Sequence, residues 1–183
     1  MLLSREKSQL LIIDVQEKLL PAMSDKRVVD RCIRLVRAAR TLAIPITVSE
    51  QYPQGLGPTV KALREAVGDA GSLLAKVEFS CAKNGPLRER LHELRRQGRP
   101  QVVIGGMESH VCVGQTAIDL EEGGFEVLVV ADAVSSRTKA SRKLALSRLL
   151  KIGADVIDSE MVVFEWLGRA DTAEFRELLP LVK

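Results

Sequence analysis

The 183-residue chain is poor in the residue types that build disulfide scaffolds, metal sites and aromatic surfaces for nucleic-acid bases: it has three cysteines, two histidines and 3% aromatic residues. Cys32, Cys81 and Cys112 are odd in number and widely spaced, and they form no CxxC pair. A disulfide framework and a structural zinc site are therefore not expected. Because His92 and His110 are the only histidines, few residues could serve as the base of a Ser–His–Asp hydrolase, and this class is disfavoured.

The sequence also lacks a charge excess and a long apolar run. Its formal net charge is only +3, and Lys and Arg alternate with Asp and Glu along the helical stretches, so nucleic-acid binding is not expected. No apolar run is long enough to span a bilayer, and we expect no membrane association. The N-terminus reads "MLLSREKSQLLIIDV", with charges in its first turns and no small-residue cleavage site. We therefore expect an untargeted, cytoplasmic protein.

Apolar runs rich in β-branched residues alternate with longer segments of helical period. The runs predict strands at 9–15, 44–50, 72–78, 101–106, 126–133 and 155–164. Helices are predicted at 29–42, 59–67, 86–97, 112–122 and 139–152, with a short one around 172–179. Strands without polar alternation are buried on both faces, and their alternation with helices predicts a parallel sheet of about six strands. We expect one three-layer α/β/α domain, Rossmann-like, over residues 1–183.

In such a sheet, ligands bind beyond the carboxyl ends of the strands, which shortens the search for functional side chains. Asp14 and Lys76 lie late in otherwise apolar strands, where an unpaired charge would be costly. We expect them to meet each other or a ligand. Further polar residues at predicted strand ends are Gln16, Glu50, Gln51, Tyr52, Glu78, Met107 to Cys112, Asp132 and Ser135.

Cys112 falls where the helix after the fourth strand should begin, within "GGMESHVCV". The helix dipole and its free amides favour a thiolate there, and a nearby Lys76 ammonium would lower the thiol pKa further. Asp14 could take the thiol proton and return it to a leaving group. The glycine-led loop could direct backbone N–H groups toward one oxyanion. These parts suit attack on a carbonyl carbon, a thioester intermediate and release of the acid by water.

Each of these features also has an ordinary structural explanation. Cys112 could be a small packing residue, the acid–lysine pair a structural ion pair, and the paired glycines a tight turn. Cys81, after "VEFS", is a competing thiol, whereas Cys32 should be inert core. His110 could form a dyad with Cys112, although near neighbours on a turn rarely face each other. His92 is expected on a solvated helix face. The glycine-rich pieces complete neither a dinucleotide fingerprint nor a Walker motif, so no nucleotide cofactor is expected.

Several motifs together resemble the isochorismatase-like cysteine hydrolase superfamily. They are "LLIIDVQEKL", "AKVEFSC", "GGMESHVCVGQTA", "VVADAVSS" and "GADVIDSEMVVFE", and the agreement runs from about residue 8 to 166. The third motif matches the family signature at Ser109, Cys112, Val113, Thr116 and Ala117. A further stretch, "SEQYPQGLGPT", resembles the isochorismatase domain-containing branch.

The resemblance implies a catalytic triad of Asp14, Lys76 and Cys112. It implies a cis peptide between Met107 and Glu108 that aims the Glu108 and Cys112 amides at the oxyanion. A small-molecule substrate and a homo-oligomer are also implied. By position in the family, the residues lining the substrate pocket would be Gln16, Gln51, Tyr52, Phe79 and Ser109.

The sequence departs from two branches of that family. True isochorismatases lack the cysteine, so vinyl-ether hydrolysis is disfavoured. Nicotinamidases carry an Asp-x-His metal cluster where this chain reads Glu50-Gln51-Tyr52-Pro53, so we expect no metal and no other cofactor. The leading hypothesis is a metal-independent cysteine hydrolase acting on a small amide or related C–N bond. The alternatives are a catalytically silent oligomeric interaction or ligand-sensing protein, a nicotinamidase-like amidase, and redox sensing by Cys112 with Cys81.

Overall fold

The fold is a six-stranded sheet packed between helices, in a computed structural model that describes residues 1–182. The last residue of the expected domain, Lys183, lies outside the described residues. The strands are β1 (Ser8–Ile13), β2 (Ile46–Gln51), β3 (Gly71–Lys76), β4 (Gln101–Met107), β5 (Glu126–Ser135) and β6 (Asp155–Ile157). The helices are α1 (Val28–Thr41), α2 (Pro53–Leu56), α3 (Lys61–Val67), α4 (Gly85–Arg96), α5 (Cys112–Glu122), α6 (Lys139–Lys151), α7 (Ser159–Leu167) and α8 (Ala173–Leu178).

The strand order is β3-β2-β1-β4-β5-β6, and every neighbouring pair is parallel. The predicted parallel α/β sheet of about six strands is confirmed. The order runs outward in both directions from the β1–β4 pair, which is the switch point where open α/β sheets form a crevice at the carboxyl ends of their strands. The segments that follow β1 and β4 therefore lie at the natural ligand position.

The sheet separates two apolar cores, which explains why its central strands are apolar without alternation. Along β1 every residue is buried. Leu10 and Ile12 pack into the core that contains α1, α3, α7 and α8 side chains. Leu11 and Ile13 pack into the opposite core, with side chains of α4, α5 and α6. Within residues 1–182, no helix has both the length and the apolar character required to cross a bilayer.

The predicted last strand, 155–164, is wrong beyond its first three residues. Strand β6 ends at Ile157, and α7 begins at Ser159 because the Asp158 side chain accepts a hydrogen bond from the Met161 backbone N–H at 2.8 Å. This contact is an N-terminal helix cap. The apolar run that resembles a strand instead contributes buried residues of a helix, among them Val163 and Trp166.

Gly106 allows β1 and β4 to approach closely beside the candidate site. Its φ is +131°, and a Cβ atom there would lie 2.1 Å from the backbone oxygen of Ile13. Only glycine tolerates both conditions. The residue is still part of β4, so the glycine serves strand packing rather than the turn that follows.

Candidate active site

Three charged or sulfur-bearing side chains that are distant in sequence share one buried region at the carboxyl end of the sheet. Asp14 follows β1, Lys76 is the last residue of β3, and Cys112 is the first residue of α5. Their relative exposures are 0%, 3% and 5%. Asp14 and Lys76 form an ion pair of 2.7 Å, as the cost of burying either charge alone requires.

Lys76 is held by three acceptors, one for each ammonium proton. Its Nζ donates to Asp14 Oδ2 at 2.7 Å, to Gln51 Oε1 at 2.6 Å and to the Phe79 carbonyl at 3.2 Å. Gln51 is the register partner of Lys76 in the β2–β3 pair, and its Nε2 donates to the Val77 carbonyl at 2.8 Å. The amide orientation of Gln51 is thereby fixed, with its oxygen toward the ammonium.

Asp14 is fixed from both of its carboxylate oxygens. Ser49 Oγ donates to Oδ1 at 2.7 Å, while Lys76 binds Oδ2. The backbone of Asp14 has a left-handed φ of 55°, a conformation uncommon for a non-glycine residue. Each carboxylate oxygen retains a second lone pair, so Asp14 can still accept a proton from a neighbouring group.

The Cys112 thiol has a raised pKa, which corrects the expected lowering by the helix start and Lys76. Burial is the largest cause, and the Asp14 carboxylate raises the pKa further, whereas Lys76 opposes the shift. The sulfur lies 3.9 Å from Gln51 Oε1, a long contact for a thiol donor, and the Asp14 carboxylate is near enough for its charge to raise the thiol pKa. The resting group is therefore a protonated thiol beside a base.

The loop between β4 and α5 is anchored by its own backbone. The Met107–Glu108 peptide bond is cis. The Glu108 carbonyl accepts from the N–H groups of Val111 and Val113, at 3.0 and 3.2 Å. Within residues 1–182, the N–H groups of Glu108 and Cys112 have no acceptor. These two backbone donors of the loop and the helix start are thus available to an oxyanion.

The same loop is tied to the end of β5 by side chains. Arg137 binds the Glu108 carboxylate through two nitrogens, at 2.7 and 3.2 Å, although Glu108 itself is only 6% exposed. His110 Nδ1 lies 3.0 Å from Ser136 Oγ, and its Nε2 lies 4.0 Å from Glu108 Oε1. The His110 ring is therefore engaged away from Cys112, which leaves the Cys–His dyad without support.

Two of the residues expected to line the substrate pocket are occupied elsewhere. Gln16 is fully buried: its Nε2 donates to the Gln51 and Gly57 carbonyls, and its Oε1 accepts from the Gln51 N–H. Ser109 is also fully buried, and both its Oγ and its N–H donate to the Ser135 carbonyl. These side chains brace the loops around the site and leave no polar hydrogen free for a substrate.

Tyr52 and Phe79, the other two expected substrate-lining residues besides Gln51, are exposed and lie close to Lys76. Each side chain is 54% exposed, and their backbones flank Lys76. The Tyr52 N–H donates to the Lys76 carbonyl at 2.8 Å, and the Phe79 carbonyl accepts from Lys76 Nζ. With Val77, which is 68% exposed, they form an apolar surface next to the buried ion pair.

Cys81 shares a core with Cys112 and is close enough to Asp14 and Lys76 to be affected by the same charges, so the two thiols differ chiefly in exposure, 0% against 5%. Cys81 is fully buried, and burial with the Asp14 charge raises its thiol pKa to about 11. Cys32 lies in the core on the opposite side of the sheet, and burial raises its thiol pKa as well. His92 packs its ring against the edge of Phe125, with centroids 5.1 Å apart, rather than standing free in solvent.

The region after β2 does not hold the donors of a metal cluster. Glu50 Oε1 accepts from the N–H and the hydroxyl of Thr59, at 2.6 and 2.8 Å. In the described part of the chain, no three His, Cys, Asp or Glu side chains are grouped so that they could bind a metal. Asp132, another strand-end candidate, accepts from the Ser159 N–H and hydroxyl and so joins β5 to α7.

Sequence reasoning missed Ser49, Thr116 and Arg137. Ser49 is a buried hydroxyl inside the apolar run "ITVSE". A polar residue in a buried strand indicates that it has a polar partner, so its role could have been inferred from the sequence. Thr116 Oγ1 accepts from the Cys81 N–H at 2.9 Å, and it belonged to the motif without an assigned role. The sequence did not indicate a role for Arg137, because its carboxylate partner, Glu108, lies 29 residues earlier in the chain.

Known proteins share this fold and sequence. The model of the isochorismatase domain family matches residues 8–161. Isochorismatase domain-containing protein 2 of Bos taurus is 38% identical over 176 residues, covering 96% of this chain and 83% of that protein. A Mar1 ribonuclease from Caenorhabditis elegans is 35% identical, with a TM-score of 0.92 over 100% of this chain and 92% of that one. The YcaC gene product of Escherichia coli, described as an octameric hydrolase of unknown specificity, is 24% identical over 99% and 90% of the two chains, with a TM-score of 0.89, and shows the fold alone. This chain belongs to the isochorismatase domain family.

Proposed function

We propose that this protein is a cysteine hydrolase that cleaves a small amide or related C–N bond through a thioester on Cys112. The observation that carries the proposal is the buried group of Asp14, Lys76 and Cys112, together with the backbone N–H groups of Glu108 and Cys112, which have no acceptor within residues 1–182. An electrophilic carbonyl placed there would meet a nucleophile, a base and an oxyanion site together.

The reaction begins with attack of Cys112 Sγ on the carbonyl carbon. A C–S bond forms as the thiol proton passes to Asp14, and the carbonyl oxygen becomes an oxyanion that accepts from the Glu108 and Cys112 N–H groups. The C–N bond then breaks as the amine takes the proton from Asp14 and leaves. Water attacks the thioester with Asp14 as base, the C–S bond breaks, and the proton returns to sulfur.

Lys76 supplies a fixed positive charge to this sequence. Its contacts hold it within reach of Asp14 and Gln51, so it stabilises the negative charge that moves between the carboxylate and the sulfur. Inside a region of low dielectric this interaction is stronger than in water. Gln51 is better described as the residue that positions Lys76 than as a substrate ligand. Tyr52 and Phe79 are proposed to contact the substrate's apolar part.

The test is turnover of a panel of small amides and ureides, measured by ammonia release. We expect the wild type and the matched Cys81→Ala control to be active, and Cys112→Ala to lose on the order of 10³-fold. Turnover that survives Cys112→Ala would contradict the thioester route. Saturable binding of panel compounds without turnover would favour the ligand-sensing alternative.

A second candidate, RNA hydrolysis, is favoured only by the name of the C. elegans relative. Asp14, Lys76 and Cys112 are each at most 5% exposed, which suits a small acyl group better than a phosphodiester within a polymer. We therefore expect no cleavage of a labelled RNA oligonucleotide. Cleavage by the wild type that is lost in Cys112→Ala would replace the amide proposal.

Self-association is part of the same proposal. The E. coli relative is described as octameric. In this chain β3 is an edge strand, and Leu73, Val77 and Phe79 expose apolar surface on or next to it. An exposed strand edge with apolar neighbours is usually covered. Light scattering at micromolar concentration should give a mass above that of the 20.1 kDa chain, and a monomer would contradict this proposal.

A further inference from the structure

A cavity separate from the proposed active site lies between α5 and α6. Its volume is about 240 Å³, and neither Asp14, Lys76 nor Cys112 lines it. A water molecule takes about 30 Å³ of liquid volume, so the space is large enough for a small organic molecule. It is slightly smaller than the pockets that hold drug-sized ligands, which start at about 300 Å³, and so suits only a small molecule.

The cavity has one apolar and one polar side. Ile118, Leu144 and Leu149 supply the apolar surface. Gln115 and Arg148 supply polar groups. Leu144 is 73% exposed, so most of its apolar side chain is open to solvent at the edge of the cavity. A ligand that matches both sides needs an apolar portion and a polar or charged head.

The basic residues of α6 indicate that the polar group of the ligand is an anion. The helix reads "KASRKLALSRLLK", with five basic residues and no acidic one. Arg142 already donates to the backbone carbonyls of Ala131 and Val134. Arg148 makes no hydrogen bond or ion pair with any residue of 1–182, so its guanidinium remains available to an anion. Arginine is the side chain best suited to bind a carboxylate through two nitrogens.

We propose that this cavity binds a small carboxylate carrying a short apolar chain, with Arg148 holding the carboxylate and Leu144 and Ile118 the chain. The inference stands apart from the proposed hydrolase function, because it uses none of the groups that carry the chemistry. His110 lines the cavity. Its ring also contacts Ser136 and approaches Glu108, so the ring reports on binding at the edge of the loop that precedes Cys112.

The two histidines make the experiment simple. Sodium hexanoate is titrated into the full chain while the ring signals of His110 and His92 are followed by NMR. We expect a saturable shift of the His110 signals and none for His92, which lies against Phe125. Arg148→Gln should weaken the binding roughly tenfold, since a charge-assisted hydrogen bond is lost. The matched control Lys143→Gln, on the same helix but outside the cavity, should leave the binding unchanged.

Three results would overturn the proposal: no saturation below about 50 mM hexanoate, equal binding of 1-hexanol, or unchanged binding in Arg148→Gln. The proposal would also be overturned if the protein forms an oligomer that dissociates in the Leu144→Ser variant, because a second copy of the chain would then cover the cavity. The titration is repeated with Cys112→Ala. Binding that persists there, whether or not the wild type hydrolyses amides, separates this site from the proposed chemistry.

Discussion

Among single residues, Lys76 is the most constrained, because its ammonium is almost fully buried and meets three acceptors. Such a charge is tolerated only while its partners remain. Asp14 is bound by Ser49 and Lys76, and Gln51 turns its amide oxygen toward the same ammonium. The site is therefore one electrostatic unit, in which removal of any member leaves another uncompensated.

Lys76→Met should destabilise the fold by about 3–5 kcal/mol, because it leaves the Asp14 carboxylate buried without its cation. The double variant Asp14→Asn with Lys76→Met should recover part of that loss, since no charge is then unpaired. Urea unfolding of the four proteins measures the coupling. A loss below about 1 kcal/mol in the single variant would mean that water reaches the pair, contrary to its burial.

The reactivity of Cys112 should follow a raised thiol pKa. Burial and the Asp14 charge favour the protonated form, so the thiolate fraction at neutral pH is small and rises about tenfold per pH unit. The rate of carbamidomethylation of Cys112, followed by peptide mass spectrometry, should keep rising from pH 7 to beyond pH 9. A plateau below pH 7 would show an activated resting thiolate instead. Cys32, in the other core, should react more slowly at every pH.

At the scale of elements, the end of β5 holds the loop that precedes α5. The Ser135 carbonyl, the Ser136 hydroxyl and the Arg137 guanidinium all contact this loop. The contact between Arg137 and Glu108 is bidentate, and it lies between a half-exposed cation and a nearly buried carboxylate. Two parallel hydrogen bonds fix the orientation of the Glu108 side chain, and we expect them to steady the neighbouring backbone N–H groups.

Arg137→Ala should therefore lower kcat roughly tenfold and leave KM nearly unchanged. It should lower the unfolding free energy by less than Lys76→Met does, because Arg137 is exposed and water can replace it beside the Glu108 carboxylate. The expected cause of the lower kcat is a small displacement of the Glu108 N–H group, which matters only when negative charge develops on the substrate. Arg137→Lys keeps the positive charge but loses the two-nitrogen contact with the carboxylate, and it should recover part of the rate. The nearby Lys139→Ala serves as the exposed control. An equal loss of kcat in Arg137→Ala and Lys139→Ala would show that the Arg137–Glu108 contact has no specific role in catalysis.

Most of the fold was predictable, because five of the six strands are bounded apolar runs and the helices carry glycines or caps at their ends. One exception is 155–164, where the Asp158 side chain caps a helix that contains the apolar run. Another is the one-turn helix α2 (Pro53–Leu56), which was not predicted. At the site, the positions of Asp14, Lys76 and Cys112 follow from strand order alone. The engagement of Gln16 and Ser109 with backbone does not, because it depends on how loops meet in space. The thiol pKa also escaped prediction, since burial outweighs Lys76.

For the whole molecule, buried thiols should make the fold sensitive to alkali. The folded-state pKa of Cys81 is raised to about 11, against about 8.5 for an exposed thiol. Below the lower value both states keep the proton and the full stability is present. Above it the unfolded chain releases the proton first, so stability falls by up to about 1.4 kcal/mol per pH unit until the folded thiol also titrates.

Urea unfolding at pH 8 and pH 10.5 measures this loss. Cys81→Ala should have a lower unfolding free energy than the wild type at pH 8, because the substitution leaves a small cavity. Between pH 8 and pH 10.5, however, the variant should lose about 2 kcal/mol less than the wild type does, because it lacks the Cys81 thiol. Lysine and tyrosine titration affects both proteins equally and cancels in the comparison. An identical pH dependence in the two proteins would show that Cys81 titrates normally, contrary to its burial.

Cys112 is the proposed nucleophile, and acylation by p-nitrophenyl acetate tests this role without knowledge of the natural substrate. The wild type and Cys81→Ala should release a burst of nitrophenolate and carry one acetyl group on the peptide that contains Cys112. Neutral hydroxylamine should remove that group. An acetyl group found on Cys81 or on lysines, with Cys112 unmodified, would contradict the account.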